Sequence, residues 1–400
     1  MIKEVEIRNY KSIKELTLPL GRITVLIGAN GSGKSNILEA LAIGSAAAND
    51  KLDNEFLVSR GIRVSEDPRF MRSAFDKQMV GGDIDLVFRD DQDAEYIYNL
   101  QKDNERPYSS WQTKDIIAHS NFRKGLDAKD AEELTYRVAQ LKKALDSDWT
   151  DWDKLALTPI RASDVLSVAT RLLFAMTGPD ELRRFLIFSP ENSALRLFEQ
   201  EGQIQPLGIR GEGLFKLLRV MSLQDESGLN EIKKHLSCID WFSDFEVASD
   251  ISPSERFLRI RDRYLDDDLA FFDQRSANEG FLFLLFYFSL FTSKETPTFF
   301  AIDNVDASLN PKLCSQLMVE LCALAKAHGK QVVFTTHNPA ILDGLDLTDD
   351  DQRLLVVSRN RNGYTRVKRI EAPDRNTTTT PVRLSEAFLR GYLGGLPDNF

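Results

Sequence analysis

Four histidines, three cysteines and no long apolar run occur in this 400-residue chain, and acids outnumber bases by 61 to 51. Each shortage excludes something. The three cysteines, Cys238, Cys314 and Cys322, share no metal-ligand spacing and read as free thiols, which suits a cytoplasmic protein. The longest near-apolar stretch, Phe281 to Phe291, is 11 residues, whereas a membrane span needs about 20. Met1-Ile2-Lys3-Glu4 opens no signal-peptide core, so neither a membrane nor a secretory role is expected. The net charge of −10 makes the chain a poor bulk binder of polyanions, so any nucleic-acid contact needs a local patch. What is there is core: 42% of the residues are apolar, too many for a disordered tail.

The first hundred residues read as short strands, Val5 to Tyr10, Leu16 to Leu20 and Ile23 to Ile27, the last continuously apolar as befits a strand covered on both faces. A Gly-rich turn and an amphipathic helix from Lys34 to Ile43 follow, then a hairpin, Asp83 to Phe88 with Glu95 to Leu100. Between 104 and 185 the texture turns helical and charged, with Leu134, Val138, Leu141 and Leu145 at helical spacing and a second helix expected over Ser163 to Met176. That stripe is too short for a coiled-coil arm. Strand-like segments return at Asp244 to Ala248 and Arg256 to Arg261. The apolar helix Phe281 to Phe291 should be buried, and Phe299 to Ile302, Val332 to Thr335 and Leu354 to Val357 alternate with the helix Lys312 to His328 as in a parallel sheet. The expected fold is α/β, with a mixed or parallel central sheet and an antiparallel subdomain. It divides into an N-terminal lobe (1–103), a helical insertion (104–185) and a C-terminal lobe (186–400).

Three strand ends carry the chemistry. Gly28-Ala29-Asn30-Gly31-Ser32-Gly33-Lys34-Ser35 matches G-x-x-x-x-G-K-[ST] between a strand and a helix. In that context backbone N–H groups wrap phosphates, Lys34 neutralises the β/γ-phosphates and the Ser35 hydroxyl ligates Mg²⁺. Phe299-Phe300-Ala301-Ile302-Asp303 delivers a carboxylate to the edge of an apolar strand, where Asp303 would join the Mg²⁺ shell. Val332-Val333-Phe334-Thr335-Thr336 ends in His337, one of the few histidines. The expected ligands are therefore ATP and Mg²⁺.

With Ile7-Arg8-Asn9-Tyr10-Lys11-Ser12-Ile13 ahead of the Gly-rich loop and Asn36 closing it, the chain resembles the SMC/RecF/OLD group of ABC-type ATPases. Ile302-Asp303-Asn304-Val305-Asp306, Leu309-Asn310-Pro311 and Thr336-His337-Asn338-Pro339 match that group's Walker B, D-loop and switch-histidine order, and the final Gly391-Tyr392-Leu393-Gly394-Gly395-Leu396-Pro397 is typical of its small bacterial members. The resemblance covers residues 1–100 and 190–400. It implies an ABC-type P-loop ATPase head split in sequence, whose two copies sandwich two ATP molecules, each site completed by the other copy's signature loop. Ser276-Ala277-Asn278-Glu279-Gly280 is the candidate signature, with Ser276, Asn278, Glu279 and Gly280 acting in trans; its plainer reading is a helix N-cap at Ser276 or Asn278. The group's Glu after the Walker B Asp is here Asn304, which can orient a water but has no basic oxygen. Either Asp306 stands in as base, although it would have to reach back from the next loop, or hydrolysis is slow and ATP acts as a latch.

Between Arg353 and Arg369 there are six bases and no acid, and Asn362-Gly363 signals a two-residue hairpin. That turn would set Arg359 opposite Arg366 and gather Arg359, Arg361, Arg366 and Lys368 on one face with Tyr364, a patch for DNA or an acidic partner. The favoured function is an ATP-gated homodimer that controls a separately encoded effector, a nuclease or toxin, in a bacterial anti-phage-type defence complex. The alternatives are a repair or chromosome-maintenance ATPase that clamps DNA, and a non-hydrolysing scaffold. No coiled-coil arm and no TOPRIM nuclease is expected in the roughly 60 residues after His337.

Overall fold

In a computed structural model the chain is described at residues 1–65, 67–102, 111–119, 178–197, 202–247, 258–266, 269, 271–372 and 382–396. The helices expected around Leu134–Leu145 and over Ser163–Met176 lie outside the described residues.

The organising element is a six-stranded sheet whose middle strand comes from the N-terminal lobe. Strands β3 (Ile23–Ile27), β7 (Ile187–Phe188), β11 (Phe299–Ile302), β12 (Gln331–Thr336), β13 (Gln352–Arg359) and β14 (Thr365–Ile370) lie in the order β14-β13-β3-β12-β11-β7. All pair in parallel except β13 with β14. Every residue of β3, β11 and β12 is buried, as their predominantly apolar sequences require of strands covered on both faces. Alternate side chains feed two cores. Ile23, Val25, Ile27, Phe300, Ile302, Val332 and Phe334 face the core built by α2 (Leu214–Gln224), α3 (Glu226–Leu236), α4 (Glu279–Thr292) and α5 (Pro311–Ala327). Leu26, Phe299, Ala301 and Val333 face the other core, with α1 (Lys34–Ala48) and a second sheet.

That second sheet is antiparallel, in the order β2 (Ile13–Pro19), β1 (Ile2–Tyr10), β4 (Ile84–Asp90), β5 (Glu95–Gln101), β6 (Gln112–His119). Strand β6 pairs with β5, Ile97 opposite Ile117, so the sheet runs on past residue 103, where the helical insertion was expected to begin. At the far side of that segment, residues 178–185 also belong to this lobe: Leu182 and Phe185 join its core, and Ser45 Oγ donates to the Arg183 carbonyl at 3.0 Å. A third sheet, β10 (Phe272–Asp273), β9 (Leu258–Asp262), β8 (Phe242–Val247), stands in front of α4. Helix α4 is buried from Phe281 to Thr292, as its all-round apolar sequence demands. The side chain of Gln331 ties the first strand to β12, accepting from the Ile2 N–H at 3.0 Å and donating to the Ile2 and Gly21 carbonyls at 2.6 and 2.9 Å.

Among the described residues no helix is long and apolar enough to cross a membrane.

Candidate functional site

Strands β3, β12 and β11 are neighbours and parallel, so the three segments that follow them, Gly28–Ser35, His337 and Asp303, emerge at one sheet edge. The loop after β3 needs its glycines. A Cβ on Gly28 would lie 2.1 Å from the Val357 carbonyl oxygen, because β13 passes directly against it. Gly33 has φ +111°, and a Cβ there would meet Thr365 Oγ1 at 2.0 Å. Thr365 in turn donates to the Ser32 carbonyl at 3.1 Å and shares a hydrogen bond of 2.7 Å with Ser12 Oγ, which accepts from Asn36 Nδ2 at 2.7 Å. Gly31, at φ +73°, faces open space.

Lys34 folds back over this loop, donating to the Gly28 and Ala29 carbonyls at 2.8 and 3.0 Å, with His337 Nδ1 at 3.5 Å. Burial lowers its pKa to about 8, against the opposing pull of the Asp303 and Asp306 carboxylates. His337 is likewise pushed below its ordinary value by burial first and the Lys34 charge second, so near pH 7 it is neutral. A ring that accepts from the Lys34 ammonium at Nδ1 carries its proton on Nε2.

The carboxylate of Asp303 accepts from Ser35 Oγ at 3.2 Å and from Thr335 Oγ1 on the adjacent strand. Thr335 Oγ1 also receives the Asn304 N–H at 2.9 Å. Asn304 itself is exposed and left-handed, at φ +56°, a conformation that Asn adopts more readily than Glu. Asp306 Oδ1 accepts from Thr336 Oγ1 at 2.6 Å, one residue before His337, and its charge acts on both His337 and Lys34.

A hydroxyl, a carboxylate and an electropositive loop make a set of hard oxygen donors that fits a Mg²⁺–phosphate ligand, since Mg²⁺ takes one or two carboxylates and completes its shell from phosphates and water. Two observations support that fit. Ser32 Oγ is buried without a hydrogen-bond partner, and the Lys34 ammonium is desolvated in a loop that is open to solvent at Gly31.

The structure brings together Gly28, Gly31, Ser32, Gly33, Lys34, Ser35, Asn36, Asp303, Asn304, Asp306 and His337, and Asn30 lies within the same loop. The candidate signature stands elsewhere. Asn278 is the N-cap of α4, its Oδ1 accepting from the Phe281 N–H at 2.8 Å, so the plainer reading of this residue is realised. Ser276 is held by the Asp273 carbonyl at 3.1 Å. Gly280 and Asn278 border a cavity of about 400 Å³ shared with Trp241, Ser308 and Asn310, whose lining includes none of residues 28–36.

The basic patch is not built as expected. In the observed register Arg359 pairs with Thr365 and Ser358 with Arg366, so Arg359 points to the face opposite Arg366 and Lys368. The cause is a longer loop. Asn360 Oδ1 accepts from the N–H groups of Asn362 and Tyr364 at 2.9 and 3.0 Å, an Asx turn that displaces the two-residue turn and leaves Arg361 within the loop. The Arg359 guanidinium lies over the Phe75 ring at 5.7 Å.

Two residues, one at this edge and one beside the candidate signature, were not singled out from the sequence. Arg63 reaches Asn36 Oδ1 at 3.4 Å and pairs with the buried Glu39, and Asp303 contributes to holding its charge. Arg196 donates to the carbonyls of Gln274, Arg275 and Ala277 at 2.7, 2.6 and 2.9 Å, clamping the segment ahead of α4. Neither sits in a motif; only the tertiary fold brings them in.

Comparison with known proteins agrees with this geometry. A family model described as "AAA domain, putative AbiEii toxin, Type IV TA system" matches residues 23–343. The chain is 39% identical over 41 residues to an OLD nuclease of Thermus scotoductus and 38% identical over 58 residues to the chromosome partition protein Smc of Methanocaldococcus jannaschii. Those matches span 10% and 14% of this chain but only 8% and 5% of the two relatives. Among solved structures, an Smc head bound to the C-winged helix domain of ScpA superposes with a TM-score of 0.52 at 14% identity, covering 93% of this chain and 98% of that one. The fold is that of an ABC-type ATPase head.

Proposed function

Because the chain belongs to this AAA-domain family and is an SMC/OLD-like ATPase, we propose that it binds Mg²⁺–ATP at the edge of β3, β11 and β12, pairs with a second copy on doing so, and hydrolyses the nucleotide slowly. The observation that carries this is the convergence of Lys34, Ser35, Asp303 and His337 at one sheet edge with Asn304, not a carboxylate, after Asp303.

In this reading the loop N–H groups and Lys34 bind the phosphates, and Arg63 and Asn36 flank them. Ser35 and Asp303 hold Mg²⁺, which neutralises phosphate charge when bound. His337, neutral with its proton on Nε2, donates toward the terminal phosphate. Asn304 orients a water without deprotonating it, and Asp306, fixed by Thr336, is the nearby carboxylate that accepts the proton. Loss of a well-placed general base lowers a rate by about 10²–10⁴, so ATP serves more as a latch than as fuel. The candidate signature at Ser276–Gly280 acts on the second copy's nucleotide.

The latched dimer would gate a separately encoded effector, a nuclease or toxin, in a defence complex. Two of the similarities support a partner: the matching family is described by a type IV TA system, and the similar Smc head is one bound to the C-winged helix domain of ScpA. Cytoplasmic residence belongs to the same proposal.

Single-turnover phosphate release decides the hydrolysis step. Asn304→Glu should accelerate it, and Asn304→Asp, which suits the left-handed backbone better, should do so with less loss of stability. Asp306→Ala should slow the residual rate about tenfold or more while nucleotide binding persists. No acceleration in either Asn304 variant, together with abolition in Asp306→Ala, would make Asp306 a full catalytic base and end the latch reading.

A further inference from the structure

Glu39 lies on α1 three residues after Asn36, so the two share one face of the helix close to the Gly-rich loop. Its carboxylate is 2% exposed and accepts from Lys11 Nζ, from Arg63 Nε and, at 3.5 Å, from the Tyr10 hydroxyl. The two cations differ in kind. Lys11 is 13% exposed, neutralises the buried carboxylate and also donates to the Arg63 carbonyl at 2.8 Å. Arg63 is 68% exposed, and an ion pair in that setting adds little to stability. One cation is enough to compensate a buried carboxylate. The second leaves the trio with one positive charge in excess, next to a loop that binds anions.

The second pair fixes a direction. Ile62 is buried and Lys11 holds the Arg63 backbone, so the arginine side chain starts from a set point. Glu39 grips it at Nε, and Nη2 then extends to Asn36 Oδ1 at 3.4 Å, one turn nearer the N-terminus of α1. Asn36 is itself fixed, because its Nδ2 donates to Ser12 Oγ at 2.7 Å. The guanidinium therefore runs along the helix toward Ser35 and the phosphate-binding end. Burial opposes its charge, but the Glu39 and Asp303 carboxylates outweigh burial and hold its pKa above the ordinary arginine value. A guanidinium gripped at Nε keeps its Nη edge for phosphate oxygens, which a planar fork can bond in pairs.

We propose that Glu39 is a positioning residue that aims Arg63 at the phosphates of the bound nucleotide, an inference that rests on the nucleotide-binding reading of residues 28–36. The full-length chain and its Glu39→Gln, Arg63→Ala, Arg63→Lys and Glu39→Gln/Arg63→Ala variants are titrated calorimetrically with the Mg²⁺ complex of a non-hydrolysable ATP analogue, and thermal melting is followed in parallel. Arg63→Ala should weaken binding by about tenfold or more, the loss of a charge-assisted hydrogen bond. Arg63→Lys keeps the charge, but its single nitrogen cannot be gripped by Glu39 and reach a phosphate in the same way, so it should lose nearly as much. Glu39→Gln should weaken binding by about three- to tenfold in the parent chain and by less than about twofold in the Arg63→Ala background, where the side chain it positions is already gone. Equal weakening by Glu39→Gln in both backgrounds, in step with its loss of melting temperature, makes Glu39 a structural partner of Lys11 and overturns the proposal. An Arg63→Lys chain that binds like the parent overturns it too, whether or not Glu39→Gln folds. Unchanged affinity in Arg63→Ala overturns it and leaves the site reading intact, whereas a parent chain that does not bind the analogue overturns both.

Discussion

Lys34 shows how one side chain can be wrong for the empty fold and right for the ligand. It is 5% exposed, and burial has brought its pKa down to about 8. In the unfolded chain a lysine titrates near 10.4, so between about 8 and 10.4 the unfolded state binds more protons, and stability of the empty protein should rise with pH across that window. Phosphate binding runs the other way, since it needs the ammonium. Calorimetric affinity for Mg²⁺–ADP should therefore weaken by about tenfold between pH 7 and pH 9, with net proton uptake at the higher pH; a flat profile would mean that Lys34 stays charged throughout. Lys34→Met should abolish the nucleotide-induced rise in melting temperature and stabilise the empty protein by about 1 kcal/mol, because it removes a desolvated charge. At this scale the sequence was informative wherever a motif fixes chemistry: the residues of the Gly-rich loop, Asp303 and His337 converge as their spacing implied. It was silent on Arg63, whose relevance depends on a loop packing across α1, and on the bond that holds Asp306, which comes from Thr336 on a strand 30 residues on.

Elements were legible where their hydrophobic period is strong and less so where a single polar side chain decides. Strands β1 to β5, β11 and β12 and helices α1, α4 and α5 all stand where apolar patterning puts them. Strand β6 was hidden because Gln112–His119 lacks the period-two alternation of a half-buried strand, its polar residues coming first and its apolar ones after, and because its partner β5 lies ten residues upstream. The β13–β14 register was missed because the side chain of Asn360, not the Asn362-Gly363 pair, shapes the turn. Helix α1 offers a test of which level dominates. Propensity alone says that Gly44→Ala should stabilise a helix by about 1 kcal/mol. Packing says otherwise, for the new Cβ would sit 2.3 Å from Phe88 Cζ, and overpacking of this kind costs about 1–3 kcal/mol. Urea midpoints should show Gly44→Ala destabilised by about 1 kcal/mol in the parent chain, and stabilised, or at least neutral, once Phe88→Leu has made room. Destabilisation of equal size in both backgrounds would mean that the clash is not what opposes the alanine.

At the scale of the whole molecule, charge distinguishes two kinds of association that the fold alone permits. Each copy carries a formal charge of −10, so two heads brought together over ATP repel one another, and the Debye length of about 10 Å at 0.1 M salt decides how much of that repulsion survives. Binding to nucleic acid has the opposite sign of salt dependence, since released counterions make it weaken steeply as salt rises. Sedimentation of the Asn304 chain with Mg²⁺–ATP should therefore show a dimer that holds or tightens between about 50 and 300 mM NaCl. The Lys34→Met variant should remain monomeric under the same conditions. The register of β13 and β14 points the same way, because dividing Arg359 from Arg366 and Lys368 removes the concentrated cationic face that a polyanion would need. A dimer that dissociates with added salt would instead place opposite charges across the interface, and would make the bases of the β13–β14 hairpin the first to test against the acids of the second copy.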